Sequence, residues 1–238
     1  MGKWAVLGLC LLLTGCGAAT EPADLSSEPA ETAAPLQETQ EVLSEHYDFD
    51  HDGVPETTEA VTLWEPEGEQ TAWYELQVTA ADGTSLWSQA AAEAHMGWTS
   101  LFALEVDGQD CLLRYHPYMG QGFCTFAYEI FSLGESGEEQ VLQEGSVDFD
   151  INFSSTLHQG VDAAAIADFL EEVHGYLDQS TLLLSTDGGT FRTGGSGADF
   201  RESDLGILWD ETCPYDAGQS LAWNLRHYAE TMTALQTV

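Results

Sequence analysis

Residues 72–79 have the sequence AWYELQVT, in which polar and apolar side chains alternate. Side chains in a β-strand point alternately to its two faces, so Tyr74, Leu76 and Val78 would share one face of a strand. Trp73 would lie on the opposite face, beside polar neighbours. The alternation predicts a strand with one face buried and the other exposed to solvent.

Several other segments have the composition and spacing of strands. They are rich in β-branched and aromatic residues, and glycine-containing turns such as Asp82-Gly83 separate some of them. A loop is expected at residues 117–122, between two of these segments. Short strands joined by tight turns predict an antiparallel meander with one solvated face. The predicted strands lie at residues 57–64, 84–87, 99–106, 111–116, 123–133 and 138–153.

The pattern changes to helical spacing further along the chain. Asp162 is a suitable N-cap, and apolar residues then recur every three or four positions. A short apolar strand is expected at residues 181–185 and a glycine-rich loop at 186–198. A second helix is expected from about residue 218, where apolar residues form one stripe. Strands followed by helices predict an α+β fold, an antiparallel β-meander with two helices packing on the sheet.

A candidate metal loop precedes the strands. Residues 48–59 have the sequence DFDHDGVPETTE. The carboxylates of Asp48, Asp50 and Asp52, at alternate positions, can converge on one point, and Gly53 allows a sharp turn. Carboxylate and carbonyl oxygens are the ligands that Ca²⁺ prefers, so the loop predicts a calcium site. The alternative interpretation is an aspartate-rich turn that binds no metal.

The remaining ligands depend on the element that comes after the loop. The acidic spacing resembles an EF-hand, and equally the calcium loops of FG-GAP and VCBS-type surface repeats, in which the next element is a strand. The EF-hand interpretation would make Glu59 a ligand, but Pro55 lacks the N–H that paired EF-hand loops need, and the next residues are β-branched. In a strand, Glu56 and Glu59 point to opposite faces, so Glu59 would lie outside the shell. The predicted ligands are Asp48, Asp50, Asp52, the Val54 carbonyl and Glu56.

The first residues have the features of a secretion signal. Lys3 precedes an apolar run that is too short to span a bilayer as a mature helix. The run ends in Leu13-Thr14-Gly15-Cys16, which resembles the lipobox of bacterial lipoproteins. The resemblance implies cleavage before Cys16, lipid attachment to Cys16, and an extracytoplasmic protein anchored to the bacterial cell membrane. The other interpretation is an ordinary secretory signal that contains a cysteine.

These features divide the chain into three parts. A lipoprotein signal peptide is predicted at residues 1–15. Residues 16–40 contain almost no large apolar side chain and predict a disordered acidic tether. Residues 41–238 are enough for a single α+β domain with its own core, which would include the calcium loop at 48–59.

The charge is strongly acidic. The chain has 41 acidic and 5 basic residues, a formal net charge of −36. Removal of the signal would remove Lys3, and the basic residues that remain are all arginine. Such a surface repels phosphate groups, which excludes nucleic acid and anionic lipid surfaces as electrostatic partners. A bound divalent cation would relieve part of the self-repulsion.

Two further groups of residues are candidates for a role. Cys111 and Cys124 flank the loop expected at 117–122, so they can form a disulfide across a hairpin or remain free thiols. Trp73, on the polar face of its strand, is a candidate ligand-binding residue, because an exposed indole can stack on a flat ligand such as a sugar ring. The alternative is that a later helix covers Trp73.

The sequence contains no recognisable nucleophile–base motif or catalytic metal spacing. We therefore expect a calcium-stabilised, lipid-anchored extracellular binding domain without enzymatic activity, whose partner is a protein or a glycan. The rival hypothesis is a secreted hydrolase, for example a carbohydrate-active one, with an acidic active site assembled from distant residues.

Overall fold

The alternating segments form strands in the computed structural model, which describes residues 39–40, 47–64, 73–92, 97, 99–120, 122–151, 157, 160–186, 192–200 and 213–236. These residues all belong to one unit, Pro35–Val238. The strands within them are β1 Thr39–Gln40, β2 Thr57–Trp64, β3 Trp73–Thr79, β4 Ser85–Ala92, β5 Ser100–Val106, β6 Gln109–Gly120, β7 Phe123–Leu133, β8 Glu139–Asp150 and β9 Thr181–Ser185. The helices are α1 Ala163–Leu177 and α2 Leu221–Gln236, and Gly197–Phe200 form a short 3₁₀ turn.

The strands form two antiparallel sheets. One sheet has the order β1-β2-β3-β4, and the other has the order β8-β7-β6-β5-β9. Strands that are consecutive in the chain pair with one another in both sheets, and β9 returns after α1 to pair with β5. The predicted α+β class, with a meander followed by helices, is confirmed. The division of the meander into two sheets is an addition that the sequence did not predict.

The five-stranded sheet is buried on both faces in its centre. In β5, Leu101 and Ala103 contact the core that the two sheets share, whereas Phe102 and Leu104 belong to the core under the helices. The described residues therefore form three layers, with the five-stranded sheet in the middle. The prediction of one solvated face is correct for β3, whose burial alternates. It is wrong for β5, because both faces of that strand are covered.

The first helix begins where the sequence indicates. Asp162 is the N-cap of α1, and its Oδ1 accepts a hydrogen bond from the Ala165 N–H at 3.1 Å. The buried side of α1, which includes Ile166 and Leu170, packs in one core with β6 and β7 side chains. In α2, Arg226 donates hydrogen bonds to Asp168 at 2.8 Å and to Glu171 at 2.7 Å. These exposed ion pairs join the two helices but contribute little to stability.

The predicted extent of the loop, residues 117–122, is wrong. Strand β6 continues to Gly120, and β7 begins at Phe123, so only two residues separate the strands. Pro117 pairs with Phe126 within the strand. A proline is tolerated there because the continuous β5–β6 ladder ends at Tyr115, and beyond it this side of β6 has only the isolated Gly97–Tyr118 bridge among the described residues.

The longer hairpin also rules out the predicted disulfide. Cys124 lies opposite Met119, whereas Cys111 lies eight residues further along β6, roughly 25 Å away at the rise of a strand. A disulfide needs Cα atoms within about 7 Å of each other. Cys111, Cys124 and Cys213 are all buried thiols that form no disulfide within the described residues. The prediction of a bridge between Cys111 and Cys124 is wrong because it placed the turn too early.

The amino-terminal predictions fall mostly outside the described residues. The signal peptide at 1–15, its Cys16 and most of the tether at 16–40 belong to that part of the chain. The exception is β1, whose Thr39 pairs with Val61, so the sheet begins two residues before the predicted end of the tether. In the portion that the structure describes, neither helix is long and apolar enough to cross a membrane.

Candidate metal centre

The candidate metal loop is closed by a backbone bridge between its two ends. Tyr47 and Glu56 form an isolated antiparallel bridge, and the Glu56 N–H donates to the Tyr47 carbonyl at 2.8 Å. Strand β2 begins directly after it, at Thr57. The strand predicted after the loop is therefore confirmed, and the helix that an EF-hand requires there is absent.

Phe49 fixes the loop to the core. Its side chain is fully buried between the two sheets and stacks on Tyr47, with ring centroids 5.2 Å apart. Its carbonyl accepts a hydrogen bond from the Leu133 N–H at 2.9 Å, and its N–H donates to Glu56 Oε2 at 2.6 Å. The second position of the loop is thus apolar because it points into the core.

The turn itself is built from backbone N–H groups that donate to the aspartates. Gly53 N–H donates to Asp48 Oδ2 at 3.0 Å, and Val54 N–H donates to Asp52 Oδ1 at 2.7 Å. Gly53 has a φ of +86°, a conformation that other residues rarely adopt. His51, with a φ of +59°, adopts a left-handed conformation in the same turn. The local sequence therefore folds the three aspartates toward one side of the loop.

Four carboxylates converge as a result. One oxygen each from Asp48, Asp50, Asp52 and Glu56 lies within 4.8 Å of the others, an arrangement that can hold a metal ion. We refer to these four residues as the carboxylate cluster. Asp48 Oδ1 is buried and has no hydrogen-bond partner. A buried carboxylate oxygen without a partner is costly, and a cation would satisfy it.

The electrostatics of Glu56 agree with this geometry. Its side chain is only 2% exposed, which makes it the most buried member of the carboxylate cluster. Burial raises the pKa of Glu56 above its ordinary value, and the charges of Asp50 and Asp48 raise it further. The hydrogen bond from the Phe49 N–H opposes the increase only in part. A bound cation would favour the ionised form instead.

Residues distant in sequence support the loop from outside. Asp110, at the start of β6, accepts a hydrogen bond from the Asp48 N–H through its Oδ2 at 2.9 Å. The Asp110 carbonyl lies 2.9 Å from His51 Nε2. The sequence does not identify Asp110, because nothing in its local pattern distinguishes it from other acids beside a turn. Glu59, by contrast, pairs with Gln77 in the sheet and is not a member of the carboxylate cluster.

Trp73 lies in the four-stranded sheet. It is 47% exposed, and its neighbours across the strands are Trp64 and Ala92. The alternative in which a later helix covers this side chain does not apply. The available surface is compatible with stacking on a ligand, and the role itself remains a prediction.

A cleft of about 630 Å³ lies on the five-stranded sheet at a distance in sequence from the metal loop. Arg114, Glu129 and Glu144 form one row across β6, β7 and β8, and His116 and Ser146 belong to the next row. These side chains lie on the side of the sheet away from the helices, because side chains in adjacent positions, such as Tyr115 and Tyr128, belong to the helix-side core. The sequence alone did not predict this cleft.

Arg114 is held by protein groups. It donates to Glu129, to Glu139 Oε1 at 2.6 Å and to Gln89 Oε1 at 2.8 Å, and its guanidinium lies 4.7 Å from the centre of the Phe131 ring. Burial alone would raise the pKa of Glu139, but hydrogen bonds from Arg114 and Trp87 outweigh it, and the pKa is lowered. Arg114 therefore serves to neutralise and orient the neighbouring carboxylates.

Comparison of the chain with protein-family models, with curated proteins and with solved structures finds no match. The function of this α+β domain must therefore be inferred from its own residues.

Proposed function

We propose that the protein is a calcium-stabilised, lipid-anchored extracytoplasmic binding domain without enzymatic activity. The observation that carries the calcium assignment is the carboxylate cluster, together with the unpartnered buried oxygen of Asp48. All of its donors are hard carboxylate oxygens, and no thiolate or imidazole is among them, which favours Ca²⁺ over zinc or copper. The ligands in this proposal are the four members of the cluster and the Val54 carbonyl, with Glu59 outside the shell.

Calcium should raise the unfolding temperature, because it binds the folded loop and not the unfolded chain. Affinity should be modest, on the order of 10⁻⁴ to 10⁻³ M, as for other extracellular calcium modules. At about ten times the dissociation constant, the stabilisation is ~1.4 kcal/mol. That corresponds to about 3–6 °C in a domain of this size. Differential scanning fluorimetry over a calcium titration, with magnesium as a comparison, measures it.

Two matched variants test which glutamate takes part. Glu56→Gln should remove most of the calcium-induced increase, and Glu59→Gln should leave it nearly intact. Both substitutions remove one negative charge within three residues of each other, so a general charge effect would change both responses equally. A dominant role of Glu59 would instead mean that the loop binds in the EF-hand manner, and that our ligand set is wrong.

The lipid anchor and the location are proposed from the sequence Leu13-Thr14-Gly15-Cys16. Cys16→Ala should move the protein from the membrane fraction to the soluble extracytoplasmic fraction, because the acyl chains can no longer be attached. Fractionation after a salt wash, with immunoblotting of each fraction, measures the change. Retention of the variant in the washed membranes would contradict the lipoprotein assignment.

The binding role is proposed from the exposed aromatic surface. Trp73 presents an indole on the outer face of the four-stranded sheet, and such side chains are enriched in binding surfaces. A sugar ring or an apolar protein side chain would stack on it. We propose an extracellular protein or glycan as the partner of this face.

The cleft is the observation that supports a secreted hydrolase instead. Glu129 and Glu144 are direct neighbours across β7 and β8, and glycoside hydrolysis commonly uses two carboxylates. Glu129, however, is already in an ion pair with Arg114. Only one of the two carboxylates is then outside this ion pair, whereas the reaction needs both to act on the substrate. We therefore favour the binding function.

A further inference from the structure

Strand β8 is the last strand of the five-stranded sheet. It pairs with β7 along its length, and in the described part of the chain no strand pairs with its other edge. Nine of its twelve residues from Glu139 to Asp150 are exposed. An exposed edge presents a row of backbone N–H and C=O groups that can pair with another extended chain.

The two faces of β8 carry different side chains, apolar toward the helices and mostly acidic on the other side. Val147 and Phe149 contribute to the core beneath the helices. The alternate residues point the other way, toward the side of the cleft. Three of these four are acidic. They are Glu144, Ser146, Asp148 and Asp150.

The cleft extends this acidic row into the sheet. Glu144 and Ser146 form its wall on β8, and Glu129 lies opposite Glu144 on β7. Like charges directly opposite each other in a sheet are destabilising. Arg114 is engaged by Glu129 and Glu139, so it does not supply Glu144 with a positive partner of its own. A cationic group that enters the cleft could form an ion pair with Glu144.

We propose that β8 is a docking edge for an extended basic segment of a partner protein, which adds to the sheet as a further strand. Backbone hydrogen bonds to β8 would supply the affinity, and alternate lysine or arginine side chains would lie over Glu144, Asp148 and Asp150. The first of these cationic side chains would enter the cleft. This inference rests on the proposed function only in treating the protein as a binding domain, and it does not involve the calcium loop.

The charge complementarity selects this occupant over a second copy of the chain. Two copies would bring two acidic β8 strands together, and each chain carries a formal charge of −36. Charged edges are one way in which proteins prevent pairing with their own copies. The same charges attract a basic strand, so β8 disfavours pairing with a second copy and favours pairing with a partner of opposite charge.

The test uses a peptide of about ten residues in which lysine alternates with threonine, a length that matches a long strand. Its control has proline in place of each threonine, which keeps the charge but removes the N–H groups that a strand needs. Fluorescence anisotropy should show binding of the first peptide at least about tenfold tighter than binding of the second. Hydrogen exchange should slow at the β8 amides on binding of the first peptide only.

Protein variants make the test specific to this edge. Glu144→Lys and Asp148→Lys should each weaken binding about tenfold or more, and Glu230→Lys, the same change on exposed α2, should change it less than about twofold. Equal binding of the two peptides, or equal effects of the three variants, would overturn the proposal, as would a dimer formed through β8 in light scattering. Cooperative thermal unfolding of Glu144→Lys in chelator, as for the parent protein, shows that the variant folds and keeps this test independent of the calcium site.

Discussion

Replacing Phe49 with alanine should destabilise the domain by about 3–5 kcal/mol, the cost of removing a buried aromatic side chain from a core. Phe49 is fully buried, and it is the residue through which the metal loop reaches the core between the sheets. The expected decrease in unfolding temperature is on the order of 10 °C for a domain of this size. Thermal or urea unfolding without calcium measures it.

The same substitution should weaken calcium binding, although Phe49 supplies no ligand from its side chain. Its N–H orients Glu56, and its carbonyl ties the loop to Leu133. Without the ring in the core, these backbone contacts lose their fixed position. Calcium binding must then also order the carboxylates, and this cost weakens the affinity. Phe49→Leu is the matched control, with an expected cost below about 1.5 kcal/mol and nearly normal calcium affinity. Equal stability of the two variants would show that the loop is not anchored through this side chain.

The type and order of the elements could be predicted from the sequence because they depend on local patterns. Alternation in β3 and helical spacing after Asp162 each result from contacts with one buried surface. The two-sheet arrangement could not be predicted in this way. In β5, apolar side chains on both faces form a continuous run, which shows that the strand is buried but not which layers cover it. The end of β6 could not be located because Pro117 is typical of a loop. Only the lack of a continuous β5 ladder beyond Tyr115 explains why the strand tolerates a proline there.

In the candidate metal centre too, the local features could be predicted and the long-range contacts could not. The aspartates and Gly53 lie within one turn, so their spacing alone predicts that they converge. The support from Asp110 and Leu133 could not be predicted, because these residues come from strands that meet the loop only in the folded protein. The cleft was missed for a related reason. Its row of charged side chains comes from three strands, and among 41 acidic residues no local signal distinguishes Glu129 or Glu144.

The carboxylate cluster should reduce the stability of the calcium-free protein. Burial and the charges of Asp50 and Asp48 raise the pKa of Glu56, so the folded state binds the proton of this residue more tightly than the unfolded state does. The contribution of Glu56 therefore falls as the pH rises from about its ordinary value of 4.5 through the higher folded pKa. At neutral pH, where Glu56 of the unfolded chain is ionised, burial of this residue opposes folding, and calcium reverses this by favouring the carboxylate.

Glu56→Gln should consequently have opposite effects in the two conditions. Without calcium at neutral pH it should raise the unfolding temperature, because the neutral amide removes a repelling charge and its oxygen can still accept from the Phe49 N–H. With saturating calcium it should lower the unfolding temperature relative to the parent protein, because a ligand is lost. The difference between variant and parent in the absence of calcium should shrink as the pH falls below about 4.5, where Glu56 is protonated in both states. Unfolding temperatures of both proteins across this pH range, with chelator and with calcium, measure the reversal. Destabilisation of the same size in chelator and in calcium would mean that Glu56 has only a structural role and is not a ligand of the ion.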